Sequence, residues 1–149
     1  MLPEGKLVKS EMLLREMQLP DDVKLTKKSL VRWIALSLGL ISPNESRTIS
    51  LDVLEALINF HIGKVQPTTK EIIEELGKIG VQADEKSVYY HLLKMKEAGL
   101  IDRRDGKYFF GEGGDGKLSA IVRKIYQEKF DKSFRSVEDA LNAVESYKH

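Results

Sequence analysis

The chain has 149 residues, 42% of them hydrophobic and 32% charged, with a formal net charge of +1 and no cysteine. That length suffices for one well-packed core with a small appendage, and the composition fits no disordered, collagenous or membrane class. Disulfides and thiolate metal centres are excluded, and with so small a net charge any attraction to nucleic acid must come from a local basic patch.

The N-terminal run MLPEGKLVKSEMLL lacks the continuous apolar stretch of a secretory signal, and no window approaches the roughly 20 apolar residues of a membrane span. A soluble cytoplasmic protein without membrane association is expected. Residues 1–24 are polar and contain Pro3 and Pro20, and their one periodic piece, Ser10 to Gln18, reads as a brief helix or a docked arm. Thr26 offers an N-cap before KKSLVRWIALSLGL, in which Leu30, Ile34 and Leu38 recur every four residues beside Val31, Trp33 and Ala35. Lys27, Lys28 and Arg32 crowd the start of this helix, where its dipole does not favour cations. They form a solvated face or a patch with a separate purpose. Turn residues from Ile41 to Arg47 end the helix.

Ser50 is the expected cap of the next helix, whose stripe is Leu51, Leu54, Leu57, Ile58 and Ile62. Gly63 to Pro67 breaks it. Thr68 or Thr69 caps a short helix with Ile72, Ile73 and Leu76 on its apolar side, and Gly77 and Gly80 make a tight turn. Asp84 caps a further helix, EKSVYYHLLKMKEAG, which Gly99 stops. The period then changes: Leu100 to Arg104 and Lys107 to Phe110 are β-prone runs joined by Asp105-Gly106, a strong hairpin signal. Leu118, Ile121, Val122, Ile125, Tyr126 and Phe130 define an amphipathic helix. Ser136-Val-Glu-Asp139 resembles a capping box that opens a last helix, with Val137, Leu141 and Val144 on its apolar side.

The fold class is therefore mainly α with a small β-hairpin. The order helix, short helix, tight turn, helix, hairpin is that of a winged helix-turn-helix with additional N- and C-terminal helices. SVYYHLLKMKEAGLI, with TTKEIIEELG before it and DRRDGKYFF after it, resembles the winged-helix regulators of the ArsR, PadR and MarR type. The resemblance covers about residues 50–111, under half of the chain, and its most specific piece is Ser87 to Ile101. Three segments follow: an arm and amphipathic helix over 1–47, the winged-helix domain over 48–111, and a helical extension over 112–149.

A helix over about 84–98 places Val88, Leu92 and Met95 on one face, to be buried against Leu54, Ile58, Ile72 and Leu76. The opposite face presents Lys86, Ser87, Tyr89, Tyr90 and Lys94. In helix-turn-helix proteins the N-terminal part of such a helix enters the major groove, where these side chains can hydrogen-bond phosphates or base edges. The hairpin, over 100–110, adds Arg103, Arg104 and Lys107, three cations within five residues, suited to the phosphate backbone or the minor groove. Leu93 departs from the family pattern, where a basic or polar residue is common. Tyr89 and Tyr90 have a second reading as cover for the helix edge. Lys94, Lys96 and Glu97 have one as a solvated face.

Other chemistries are weaker. Gly111-x-x-x-x-Gly116-Lys117 satisfies the start of a phosphate-loop pattern, but Leu118 stands where the Mg²⁺-binding hydroxyl belongs. Glu112 and Asp115 place carboxylates where phosphates would sit, and too little chain follows for a nucleotide-binding sheet. This run reads as a linker. His61 with Asp52 and Glu55 is a poor metal set, His91 reads as a packing residue, and His149 stands alone. No nucleophile with a base and no convergent carboxylate pair is apparent, so neither catalysis nor a cofactor is expected. The resemblance implies a DNA-binding transcriptional regulator acting on double-stranded DNA. A homodimer is expected, through the 118–130 helix first and the 26–40 helix second. The alternative is a winged helix used as a protein-interaction module within a nucleic-acid-processing assembly, which Leu93 and the near-neutral charge favour.

Overall fold

The computed structural model describes residues 1–45 and 49–148. The end of the turn expected through Arg47, and His149, lie outside the described residues. The protein is mainly helical with a two-stranded antiparallel hairpin, and it divides into two units, Met1–Gly114 and Asp115–His149. Among the described residues no helix is long and apolar enough to cross a membrane.

The first unit begins with an arm. The helix considered for Ser10–Gln18 does not form: short 3-10 turns cover Pro3–Leu7 and Asp21–Leu25, and residues 8–20 between them carry no regular structure. Tertiary hydrogen bonds hold this arm instead of a helical period. The Arg15 guanidinium donates through Nη1 to the carbonyls of Leu36 (2.6 Å) and Ile41 (3.0 Å). Arg15 N–H donates to Ser37 O at 2.7 Å, while Ser37 Oγ donates to Arg15 O at 2.9 Å. Arg15 thereby ties the arm to the last turn of α1 and to the loop that follows it. Trp33 Nε1 donates to Gln18 O at 2.6 Å.

Helix α1 (Lys27–Ser37) starts at Thr26, whose side chain accepts the Ser29 N–H as expected. Its buried positions are Val31, Ala35 and Ser37, while Leu30, Ile34 and Leu38 are half-buried. Helix α2 (Ile49–Ile62) contains Ser50 in its first turn, so Ser50 is not the cap; the position before Ile49 lies outside the described residues. Ser50, Asp52, Val53, Leu54, Ala56 and Leu57 are all buried. Burial so far around the helix marks a central element, and α2 packs against α1, α3, α4 and the hairpin. Ile62, expected on the buried stripe, is 64% exposed.

Helix α3 (Thr69–Lys78) is opened by Thr68 rather than Thr69, with a full capping box. Glu71 N–H donates to Thr68 Oγ1 at 3.2 Å, and Glu71 Oε1 accepts the Thr68 N–H at 3.0 Å. Such a cap contributes about 1 kcal/mol. Gly80, at φ +83°, reverses the chain into the loop before Asp84. Asp84 caps helix α4 (Glu85–Glu97) by accepting the Ser87 N–H at 2.7 Å. Leu54, Ile72, Leu76, Leu92, Val53 and Val88 are the largest fully enclosed side chains, each worth roughly 1.5–3 kcal/mol of burial.

Strands β1 (Ile101–Arg104) and β2 (Lys107–Phe110) pair with Ile101 opposite Phe110 and Arg104 opposite Lys107. Asp105 (φ 54°) and Gly106 (φ 78°) both occupy the left-handed region, which gives the turn whose twist matches a hairpin. Tyr108 N–H donates to Pro67 O at 2.8 Å, fastening the segment before α3 to the edge of β2. Tyr108, Phe109 and Phe110 are all buried, so β2 is covered on both faces. The Gly-rich run is part of that cover: Gly114, at φ +74°, lies so near Phe109 that an added Cβ would sit 2.8 Å from the Phe109 Cβ.

The second unit is one helix, α5 (Leu118–Glu145). The break and fresh cap expected at Ser136 are absent. No glycine or proline lies between Phe130 and Ser136, and Phe130, Phe134, Val137, Leu141 and Val144 follow one another at steps of four and three. One helical phase therefore runs through the local capping signal. No α5 residue is fully buried, and Phe130, Phe134, Val137, Leu141 and Val144 are exposed, from 42% at Phe134 to 69% at Val144.

Candidate functional site

Helix α4 has two unlike sides. Val88, Leu92 and Met95 face the core, and Lys86, Tyr89, Tyr90, Leu93 and Lys94 are exposed. Ser87 is half-buried at the margin, its backbone N–H already taken by Asp84. At 100° per residue, Leu93 falls within the outward stripe, between Tyr89 on one side and Lys86, Glu97 and Tyr90 on the other. The two tyrosines are 45% and 53% exposed and Leu93 40%. Lys94 Nζ lies 5.5 Å from the Tyr90 ring centroid, a cation–π contact, and His91, half-buried, meets Tyr90 edge-on at 5.3 Å.

Gly99 (φ +82°) turns the chain from α4 directly into β1, so the hairpin cations follow the helix closely in space. The structure separates them, however. Side chains alternate across a strand, so Arg103 lies on the face of Tyr108, whereas Arg104 and Lys107 share the other face with Phe109. The Arg103 guanidinium sits 5.3 Å over the Tyr108 ring, and that of Arg104 sits 5.2 Å over Phe109 and donates to Glu112 O at 3.3 Å. A guanidinium held by its flat side keeps its N–H edge for an anion. Lys107 approaches Glu71, whose carboxyl is held below its ordinary value chiefly by the Thr68 backbone N–H, then by the Thr68 hydroxyl, and least by Lys107.

The field around these groups is mixed. Residues 69–110 contain eight basic and eight acidic side chains. Recognition of an anionic polymer here therefore depends on where the individual cations stand and not on a net positive field.

Sequence reasoning missed the approach of the N-terminal arm to α4. Lys9 and Glu11 of the arm, with Leu40, His91, Lys94 and Glu97, line an open cleft of about 650 Å³. An arm without periodicity gives no signal of such docking. The acidic set around α2 is structural. Lys28 Nζ lies 3.8 Å from Asp52 and 3.6 Å from Glu55, and burial raises the Asp52 pKa against the pull of Lys28, with Glu55 raising it further. His61 packs edge-on against Phe110 at 5.7 Å, apart from any metal set; among the described residues no group of three or more potential ligands converges. No family model, curated protein or solved structure matches the chain.

Proposed function

We propose that the chain is a DNA-binding protein that regulates transcription without catalysis, built on a winged helix-turn-helix. In this reading α3 and α4 are the helix pair, α4 enters the major groove, and the β1–β2 hairpin is the wing on the backbone or minor groove. The observation that carries it is the outward face of α4, with Lys86, Tyr89, Tyr90 and Lys94 uncovered, followed at once by a hairpin bearing two ring-stacked arginines. An intracellular site of action follows from this reading. Fluorescence anisotropy on mixed-sequence duplex DNA tests it. With three phosphate contacts, affinity falls about forty-fold between about 50 and about 200 mM salt, and Arg103→Glu with Arg104→Glu removes most of the binding. Undetectable binding at both salts, or an affinity flat between them, overturns the proposal.

A second reading, a protein-interaction module, is favoured by one observation: exposed Leu93 on the same face within a charge-balanced surface. Leu93→Lys separates the two. It preserves or strengthens DNA binding in the first reading and abolishes capture of a protein partner in the second.

A further inference from the structure

Helix α4 sorts its exposed side chains into rows. Tyr89 and Leu93, four residues apart, share one side of the outward face, and both are exposed. Tyr90 and Lys94, also four apart, share the other, joined by their cation–π contact. Three exposed lysines frame the apolar pair: Lys96 along one flank, Lys86 and Lys94 along the other. The carboxylates Glu85 and Glu97 stand at the two ends of the helix.

These residue types limit what the helix can read in a major groove. Residues 85–97 include no Asn, Gln or Arg, so neither the bidentate amide pairing to adenine nor the guanidinium pairing to guanine is available to it. Lys86 and Lys94 can donate to guanine O6 and N7 or to phosphates. The apolar group that base edges offer in this groove is the 5-methyl of thymine. Against any other base edge an exposed leucine strips water from donors and acceptors and returns nothing.

We infer that Leu93, with Tyr89 on the same side, is a specificity residue that reads the 5-methyl groups of thymine in duplex DNA. This role rests on the proposed entry of α4 into the major groove. Lysines on both flanks of the apolar pair suit the two phosphate rows that border the groove. Tyr89 stands about 6 Å nearer the N-terminus of the helix than Leu93. For a helix lying along the groove, that spans about two base-pair steps of about 3.4 Å, so the two side chains address methyl groups about that far apart. Leu93 thus replaces a hydrogen bond to a base by a contact that thymine alone provides.

The test uses the full chain and a duplex site that it selects from a random-sequence library. Each thymine of the selected site is replaced in turn by deoxyuridine, which keeps the pairing and the O4 acceptor and lacks only the methyl. One or two of these replacements are expected to raise Kd about fourfold each, the effect of one buried methyl, while the others change it by less than about twofold. Leu93→Ala, with helix content by circular dichroism unchanged, binds the thymine site more weakly and no longer distinguishes uracil at one of those positions. Tyr89→Ala loses the distinction at the other. Leu93→Lys keeps its affinity for mixed-sequence duplex and loses the same distinction as Leu93→Ala. Arg103→Glu with Arg104→Glu, measured at low salt, weakens the thymine and uracil sites by the same factor. A selected site in which no uracil replacement matters overturns the inference and leaves DNA binding standing, as does a Leu93→Ala chain that retains the thymine preference. Undetectable binding to any duplex overturns the DNA-binding proposal itself, and this role of Leu93 with it, and assigns the exposed leucine to a protein partner.

Discussion

Helices α2 and α5 show two ways in which a sequence secures a helix. The shorter, α2, buries six of its residues and packs against α1, α3, α4 and the hairpin. The longer, α5, spans twenty-eight residues and buries none fully. Tertiary packing holds the first, so its residues are chosen for fit. The second persists through local propensity, unbroken phase and side-chain pairs such as Lys124–Glu128 at 3.9 Å and Gln127–Asp131 at 3.2 Å. A large apolar residue therefore means different things in the two places: core in one, available surface in the other.

Mutation sharpens that contrast. The largest effect is expected in the core: Leu92→Ala leaves a cavity among Leu54, Ile72 and Leu76 and costs about 2–5 kcal/mol by urea denaturation. Arg15→Ala is intermediate, since this side chain supplies two hydrogen bonds, to the Leu36 carbonyl in the last turn of α1 and to the Ile41 carbonyl beyond it. A loss of about 1.5–3 kcal/mol should appear, together with faster proteolysis of residues 8–20.

Thr68→Ala should cost about 1 kcal/mol through the lost cap. The same cap has a pH signature. The folded-state pKa of Glu71 is depressed below its ordinary 4.5, so its contribution is present above that value and is lost as pH falls through the lowered one. Thr68→Ala should flatten this acid limb of the stability curve. At the other extreme, Leu141→Ser at low protein concentration should change the stability of the first unit by under about 0.5 kcal/mol. A larger change there would break the distinction between the two helices.

What was legible in the sequence divides along the same line. Thr26, Thr68 and Asp84 announce their helices because a cap acts within four residues, and Asp105-Gly106 announces its turn because both positions need positive φ. The inward set Val88, Leu92 and Met95 follows from period alone, and with it the identity of the outward set. The arm was legible only in part: docking was one of two readings of Ser10 to Gln18, but its partners were hidden, because one arginine reaching carbonyls 21 and 26 residues away leaves no periodic trace. The supposed cap at Ser136 misled for the opposite reason: a local signal is overridden when nothing interrupts the helix before it. The continuous four-three spacing from Phe130 to Val144 was the sign that should have prevailed. The split of Arg103 from Arg104 and Lys107 was also available, because adjacent strand residues point to opposite faces.

The arm's contact with Trp33 gives the protein a built-in optical gauge. Trp33 is the only tryptophan in the chain, and its indole N–H is bonded to the Gln18 carbonyl. Excitation at the red edge of aromatic absorption, where tyrosine is silent, therefore watches one place in the molecule. If the arm lifts, that bond is exchanged for water, and the emission shifts to longer wavelength while the hairpin and α5 contribute nothing. The state of the arm can thus be followed in solution with no label attached.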